Sequence, residues 1–115
     1  MSDIWEWPRA IVVDHYDGDT LYCDVDLGMQ IVKKRCSIRL IGINAPEMRP
    51  LQVGAKEALA ELKLLLPLGE KISLASVNYD KYGGRVDAIV TRSRDSLNIN
   101  EAMIASGLVE KRDYS

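Results

Sequence analysis

Thr20-Leu21-Tyr22-Cys23-Asp24-Val25-Asp26-Leu27-Gly28 alternates with period two: Leu21, Cys23, Val25 and Leu27 share one parity, and Thr20, Tyr22, Asp24 and Asp26 the other. Alternate side chains of a strand point to opposite faces, so this stretch predicts a strand with one face in a core and the other in water. Asp17-Gly18, a tight-turn dipeptide, precedes it, and Gly28 ends it. Before the turn, Ala10 to Tyr16 is rich in β-formers and predicts a partner strand. After Gly28, Val32, Cys36, Ile38 and Leu40 share one parity, with Lys34 as the exception, while Lys33, Arg35, Ser37 and Arg39 share the other. The third strand is therefore expected to have an apolar face and a basic face.

Further along, Gly42 to Leu51 reads as a loop with two prolines. Ala55, Ala58, Leu59, Leu62, Leu65 and Leu66 then recur at helical spacing, and Pro67 and Gly69 stop the helix. Lys71 to Val77 predicts a strand, Asp80 to Gly84 a polar turn, and Arg85 to Thr91 another strand. Asn98 followed by Glu101 resembles a capping box and opens a short helix carrying Ile99, Ala102 and Met103, closed by Gly107. The order β-β-β-α-β-β-α predicts a mainly β, α+β protein. It suits a five-stranded Greek-key β-barrel of the OB type with a helix plugging one end.

The length of 115 residues fits a single domain over 1–115. One histidine, His15, excludes the common multi-imidazole zinc sites, and two cysteines exclude a four-thiolate site. No apolar run reaches the roughly 18 residues of a membrane span. The first residues, Met1 to Pro8, lack a basic stretch followed by a long apolar run, so the expectation is a cytoplasmic protein with reduced thiols, secretion being left open. A net charge of −2 means that any nucleic-acid binding must rest on a local patch. The basic face of the third strand, Lys33, Arg35 and Arg39, is either such a track or a solvated surface. Trp5 and Trp7 are expected to pack against the barrel rather than to stack bases.

Polar chemistry gathers in three segments. Asp17-Gly18-Asp19-Thr20 places carboxylates at a strand end, either as an ordinary turn or as ligands for a hard cation. Arg39-Leu40-Ile41-Gly42-Ile43-Asn44-Ala45-Pro46-Glu47 brings a guanidinium, an amide oxygen and a carboxylate into nine residues. Arginine matches phosphate bidentately, and glutamate can take a proton from water. Asp80-Lys81-Tyr82-Gly83-Gly84-Arg85 is a hairpin tip with a second guanidinium. Together these groups match the needs of metal-assisted phosphodiester cleavage.

These three segments, with Asn100-Glu101 and Gly107-Leu108 following in order, resemble the staphylococcal nuclease (thermonuclease) family from about Ala10 to Val109. The resemblance implies an OB-type barrel and a calcium-dependent nuclease that hydrolyses DNA and RNA to 3′-phosphate products. It implies metal ligation by Asp19, Asn44 and the Ala45 carbonyl, with manganese or magnesium also suited to such oxygens. Arg39 and Glu47 match catalytic residues, and Lys81 and Tyr82 match residues that contact the nucleotide phosphate. Asn44 departs from the family pattern, which has a carboxylate there. The second catalytic arginine falls on Gly84 without a gap or on Arg85 with a one-residue insertion; Arg85 is preferred, since a glycine-containing tip absorbs an insertion. The alternative function is a weak or inactive module that binds nucleic acid or a protein. DNA against RNA and the oligomeric state remain open.

Overall fold

The computed structural model describes residues 5–80 and 84–112. The first three strands are β1 (Trp5–Asp17), β2 (Thr20–Gly28) and β3 (Ile31–Leu40). A two-residue strand, β4 (Ile43–Asn44), leads through the proline loop into α1 (Ala55–Leu65). Then come β5 (Lys71–Asp80), β6 (Arg85–Arg92), the short β7 (Leu97–Asn98), α2 (Ile99–Ser106) and β8 (Glu110–Lys111). The long elements keep the expected order; β4, β7 and β8 are additions too short to carry a periodic signal.

β1 serves two neighbours. Its first half pairs antiparallel with β5, from Trp5↔Ser76 to Ile11↔Lys71, and its second half with β2, from Ala10↔Val25 to Asp17↔Thr20. Register shifts along β1 bend it between the two partners. The sheet runs β3-β2-β1-β5-β6-β7 and closes where β3 meets β6 in parallel, Ser37↔Arg85 to Leu40↔Ala88. Five strands thus form a closed barrel of the OB type, an α+β fold.

Alternation fills the barrel. Leu21, Cys23, Ile38, Leu40, Ile72 and Val90 are buried inside it, and Leu62, Leu66, Ile99 and Met103 of the helical segments join the same core. Each such side chain contributes about 1.5–3 kcal/mol through burial. Trp7 packs against this core as expected. α2 starts at Asn98, whose side chain accepts the Glu101 N–H at 3.1 Å, and ends at Gly107 in the left-handed region, φ 77°. No helix among the described residues is long and apolar enough to cross a membrane.

The third strand departs from its expected parity. Cys36, Ile38 and Leu40 point inward, but Ile31 to Arg35 are all exposed. The cause is a bulge: Cys23 pairs with Cys36 but Val25 with Lys33, so Lys34 and Arg35 together oppose Asp24. Arg35 takes a left-handed φ of 50°, and its N–H donates to Asp24 Oδ1 at 2.9 Å. The strand therefore has no continuous basic face. Two of the three residues of the expected basic track are also paired, Arg35 with Asp14 at 2.8 Å and Arg39 with Asp19 at 3.2 Å; Lys34, outside that track, pairs with Asp24 at 3.3 Å.

Candidate active site

The turn between β1 and β2 is buried, which is unusual for Asp-Gly-Asp. Gly18 explains how. A Cβ there would lie 2.7 Å from the Ala58 Cβ of α1 and 3.0 Å from the Ala45 Cβ, so only glycine lets the turn pack against both. That contact sets Asp17 and Asp19 beside the loop that follows β4.

Asp19 is the hub. Its Oδ2 accepts the Ala45 N–H at 2.9 Å and Arg39 Nη2 at 3.2 Å, and its Oδ1 accepts the Thr20 hydroxyl at 2.9 Å. A buried carboxylate is tolerated only when paired and hydrogen-bonded, and this one is both. Asp17 Oδ1 accepts the Asp19 N–H at 3.3 Å. Burial, and then the neighbouring Asp19 carboxyl, push the Asp17 carboxyl up to about 7. Near neutral pH the two carboxyls therefore carry less than two full negative charges.

Arg39 spans this turn and the β4 loop. Nη2 also donates to Asn44 Oδ1 at 3.2 Å, while Nη1 donates to the carbonyls of Ile43 at 3.2 Å and Leu40 at 3.4 Å. A planar fork can meet these oxygens at once; a lysine ammonium cannot. Asp19 and Asn44, the two side chains expected to hold a cation, are thus joined by one guanidinium. Ala45, whose carbonyl is the third expected ligand, donates its N–H to Asp19.

Glu47 follows two residues later and is exposed. Its N–H donates to Gln52 Oε1 at 2.8 Å, and the Gln52 N–H donates to the Glu47 carbonyl at 2.9 Å. Arg85 opens β6 beside Ser37, with Nε 3.5 Å from Asp87 Oδ1, an ion pair without hydrogen-bond alignment. Asn100 supports the frame from behind. Buried at the start of α2, it donates to the carbonyls of Ile41 at 2.8 Å and Ala88 at 3.1 Å and accepts the Val90 N–H at 3.0 Å.

Asp19, Arg39, Asn44, Ala45, Glu47 and Arg85 all line one cleft of about 350 Å³. Gly84 lines a different, apolar cavity of about 250 Å³ with Trp7, Leu27 and Cys36. Lys81 and Tyr82 lie outside the described residues. The cleft also holds groups that the sequence reading did not single out: Tyr16, Tyr22, Ser37 and Arg49. Tyr22 and Ser37 carried a signal for their place, the polar parities of β2 and β3. Among the described residues no group of three or more His, Cys, Asp or Glu gathers that could hold a metal, so any cation here depends on neutral oxygens as well as carboxylates.

A closed OB-type barrel with three arginines and three acids in one cleft suits a nuclease-like or nucleic-acid-binding module. The family described as staphylococcal nuclease homologue matches residues 37–114, and the chain belongs to that family. The matched segment includes Arg39, Asn44, Glu47 and Arg85; the Asp17–Thr20 turn precedes it. No curated protein matches the chain.

Proposed function

We propose that this protein is a metal-dependent nuclease that hydrolyses phosphodiester bonds of DNA or RNA to 3′-phosphate products. The observation that carries the reading is the meeting of Arg39, Glu47 and Arg85 with Asp19 and Asn44 in one cleft. The donor chemistry fits a hard cation: Asp19, Asn44 and the Ala45 carbonyl offer only oxygens, as calcium prefers, and manganese or magnesium are alternatives. Bound, the cation supplies Lewis-acid polarisation of a phosphate oxygen.

The chain's own residues do the rest. Glu47, exposed at the cleft and anchored through its backbone to Gln52, holds the attacking water and takes its proton. Arg85 and Arg39 bind the scissile phosphate and stabilise the charge that grows on its oxygens. The 5′ oxygen leaves.

A second reading, a catalytically weak module that binds nucleic acid, draws on one observation. Arg39 is already engaged with Asp19, Asn44 and two carbonyls. Incubation with single-stranded DNA, with calcium and with chelator, separates the two readings. Calcium-dependent cleavage that falls about 10²–10³-fold in Glu47→Ala supports the nuclease. Binding without cleavage in calcium, magnesium and manganese gives the second reading.

A further inference from the structure

We propose that Cys23 and Cys36 are a dithiol–disulfide couple, which under oxidising conditions forms a cross-link inside the barrel and fastens β2 to β3. The couple is independent of the chemistry in the cleft and stands whatever the cleft binds.

Cys23 and Cys36 are the two cysteines of the chain, and they are direct antiparallel partners. Residues directly opposite in an antiparallel pair have Cα atoms about 4.5–5.5 Å apart. A disulfide spans Cα separations of about 4.4–6.8 Å, so the backbone pairing already meets its requirement. The side chains share a face as well. Cys23 is fully buried, Cys36 is 8% exposed, and both belong to the barrel core. One buried cysteine is an ordinary small core residue. Two that oppose each other are a different matter, because a slip of either strand by one residue would send a thiol to the outer face. Both thiols are free in the structure. Cys36 Sγ donates weakly to the Lys33 carbonyl at 3.6 Å, a contact that rotation about one side-chain bond exchanges for Cys23.

The surroundings give the two sulfurs unequal roles. Cys36 lines the apolar cavity of about 250 Å³, whose wall also includes half-exposed Leu27 and exposed Lys33; Cys23 is not part of that wall. A small neutral oxidant therefore meets Cys36 first. Burial pushes both thiols up, and at Cys23 the neighbouring Cys36 adds to the effect. Reaction is accordingly slow at neutral pH, which suits a staple made once rather than a rapid sensor. With a hydroperoxide as oxidant, the Cys36 sulfur takes one oxygen as the O–O bond breaks, giving a sulfenic acid and water. The Cys23 sulfur then attacks the Cys36 sulfur, the S–O bond breaks, and the hydroxyl leaves with the Cys23 proton as a second water. Two thiols are oxidised and one peroxide is reduced. With oxidised glutathione the same bond forms by exchange, releasing two reduced glutathiones.

The test takes the full chain, unfolded in urea with reductant and refolded in a mixture of reduced and oxidised glutathione. The expected product is a monomer on a non-reducing gel, lighter by two hydrogens, in which neither cysteine takes maleimide in denaturant. A loop of this length, from Cys23 to Cys36, should lower the unfolding equilibrium constant about 10–100-fold relative to the same protein in reductant. Hydrogen peroxide added to folded protein should give the same product. In Cys23→Ser, dimedone should trap a sulfenic acid on Cys36, and in Cys36→Ser none on Cys23. Should a serine variant fail to fold, the parent chain with and without reductant carries the comparison. Natively folded parent with both thiols still open to maleimide, a disulfide between two chains, or glutathione held on Cys36 beside a free Cys23 would overturn the couple. A cross-linked chain no more stable than the reduced one would overturn its part as a staple.

Discussion

Gln52 and Glu47 hold each other across the proline loop by two reciprocal hydrogen bonds, 2.8 Å from the Glu47 N–H to Gln52 Oε1 and 2.9 Å from the Gln52 N–H to the Glu47 carbonyl. The carboxylate proposed as general base therefore sits on a backbone pinned by a side chain five residues away. Gln52→Ala removes one of the two bonds. A bond of this kind contributes about 0.5–1.5 kcal/mol. If the whole amount goes into positioning Glu47, kcat falls up to about tenfold with Tm little changed. Steady-state kinetics on single-stranded DNA beside a melting curve checks it; an unchanged kcat would show that the loop holds Glu47 without Gln52.

Gly18→Ala tests the packing that buries the Asp17–Thr20 turn. The new methyl meets Ala58 at 2.7 Å and Ala45 at 3.0 Å, and helix backbone stands behind Ala58. Overpacking of this kind costs about 1–3 kcal/mol. Urea unfolding should show that loss. Activity of the folded fraction should fall too, because the turn can relieve the clash only by moving Asp19 from Ala45. Wild-type stability in this variant would contradict the close contact.

Asn100→Leu tests the support behind the site. The change leaves the Val90 N–H without its side-chain acceptor and the Ile41 and Ala88 carbonyls without a side-chain donor, all at a buried position. An unsatisfied buried group costs about 1–3 kcal/mol, so a loss of about 3 kcal/mol in urea unfolding is expected. Asn100→Asp should not rescue it, because a carboxylate cannot donate to two carbonyls.

Asn44→Asp restores a charge beside Asp19. A unit charge a few ångströms from a divalent ion interacts by several kcal/mol at an effective dielectric of about 20, most of it offset by desolvation. Calcium affinity by titration calorimetry should rise about tenfold as the net remainder. No change would place the cation away from residue 44.

Stability in acid should depend on Asp95. A hydrogen bond from Arg92, and then the nearby positive charge, hold its carboxyl down to about 2. The folded value lies below the unfolded one of 3.8, so the folded chain binds fewer protons. The stabilisation is complete above pH 4 and is lost as pH falls through about 2. Wild type should exceed Asp95→Asn in urea midpoint at pH 5, and the gap should shrink steadily as pH falls toward 2. A constant gap would show that the ion pair is not its source.

Legibility followed periodicity. β2 was readable because Leu21, Cys23 and Val25 alternate without interruption, and α1 because Ala55, Ala58 and Leu62 keep helical spacing. β3 departs from its local pattern between Ile31 and Arg35, since a bulge held by Asp24 is set by a partner strand and leaves no mark in that pattern. The same holds for charge. Lys33, Arg35 and Arg39 look like a track in sequence, but Asp14 and Asp19 reach the two arginines only once the strands pair. At the site, motif residues were legible because they are chemically distinctive. Gln52 and Tyr16 were not, as each takes its meaning from what it faces.

The barrel is closed by four residue pairs, Ser37 to Leu40 against Arg85 to Ala88, and Arg39 and Arg85 of the cleft belong to that seam. Their separation is therefore not a property of a loop that can be remodelled at leisure; it is the width of the last joint that makes the sheet a tube. Parting β3 from β6 would leave β2, β1 and β5 still paired while moving the two guanidinium groups apart. Loss of function should thus accompany the opening of one seam, ahead of unfolding, and amide exchange at Ile41, bonded across it to Ala88, reports the same event.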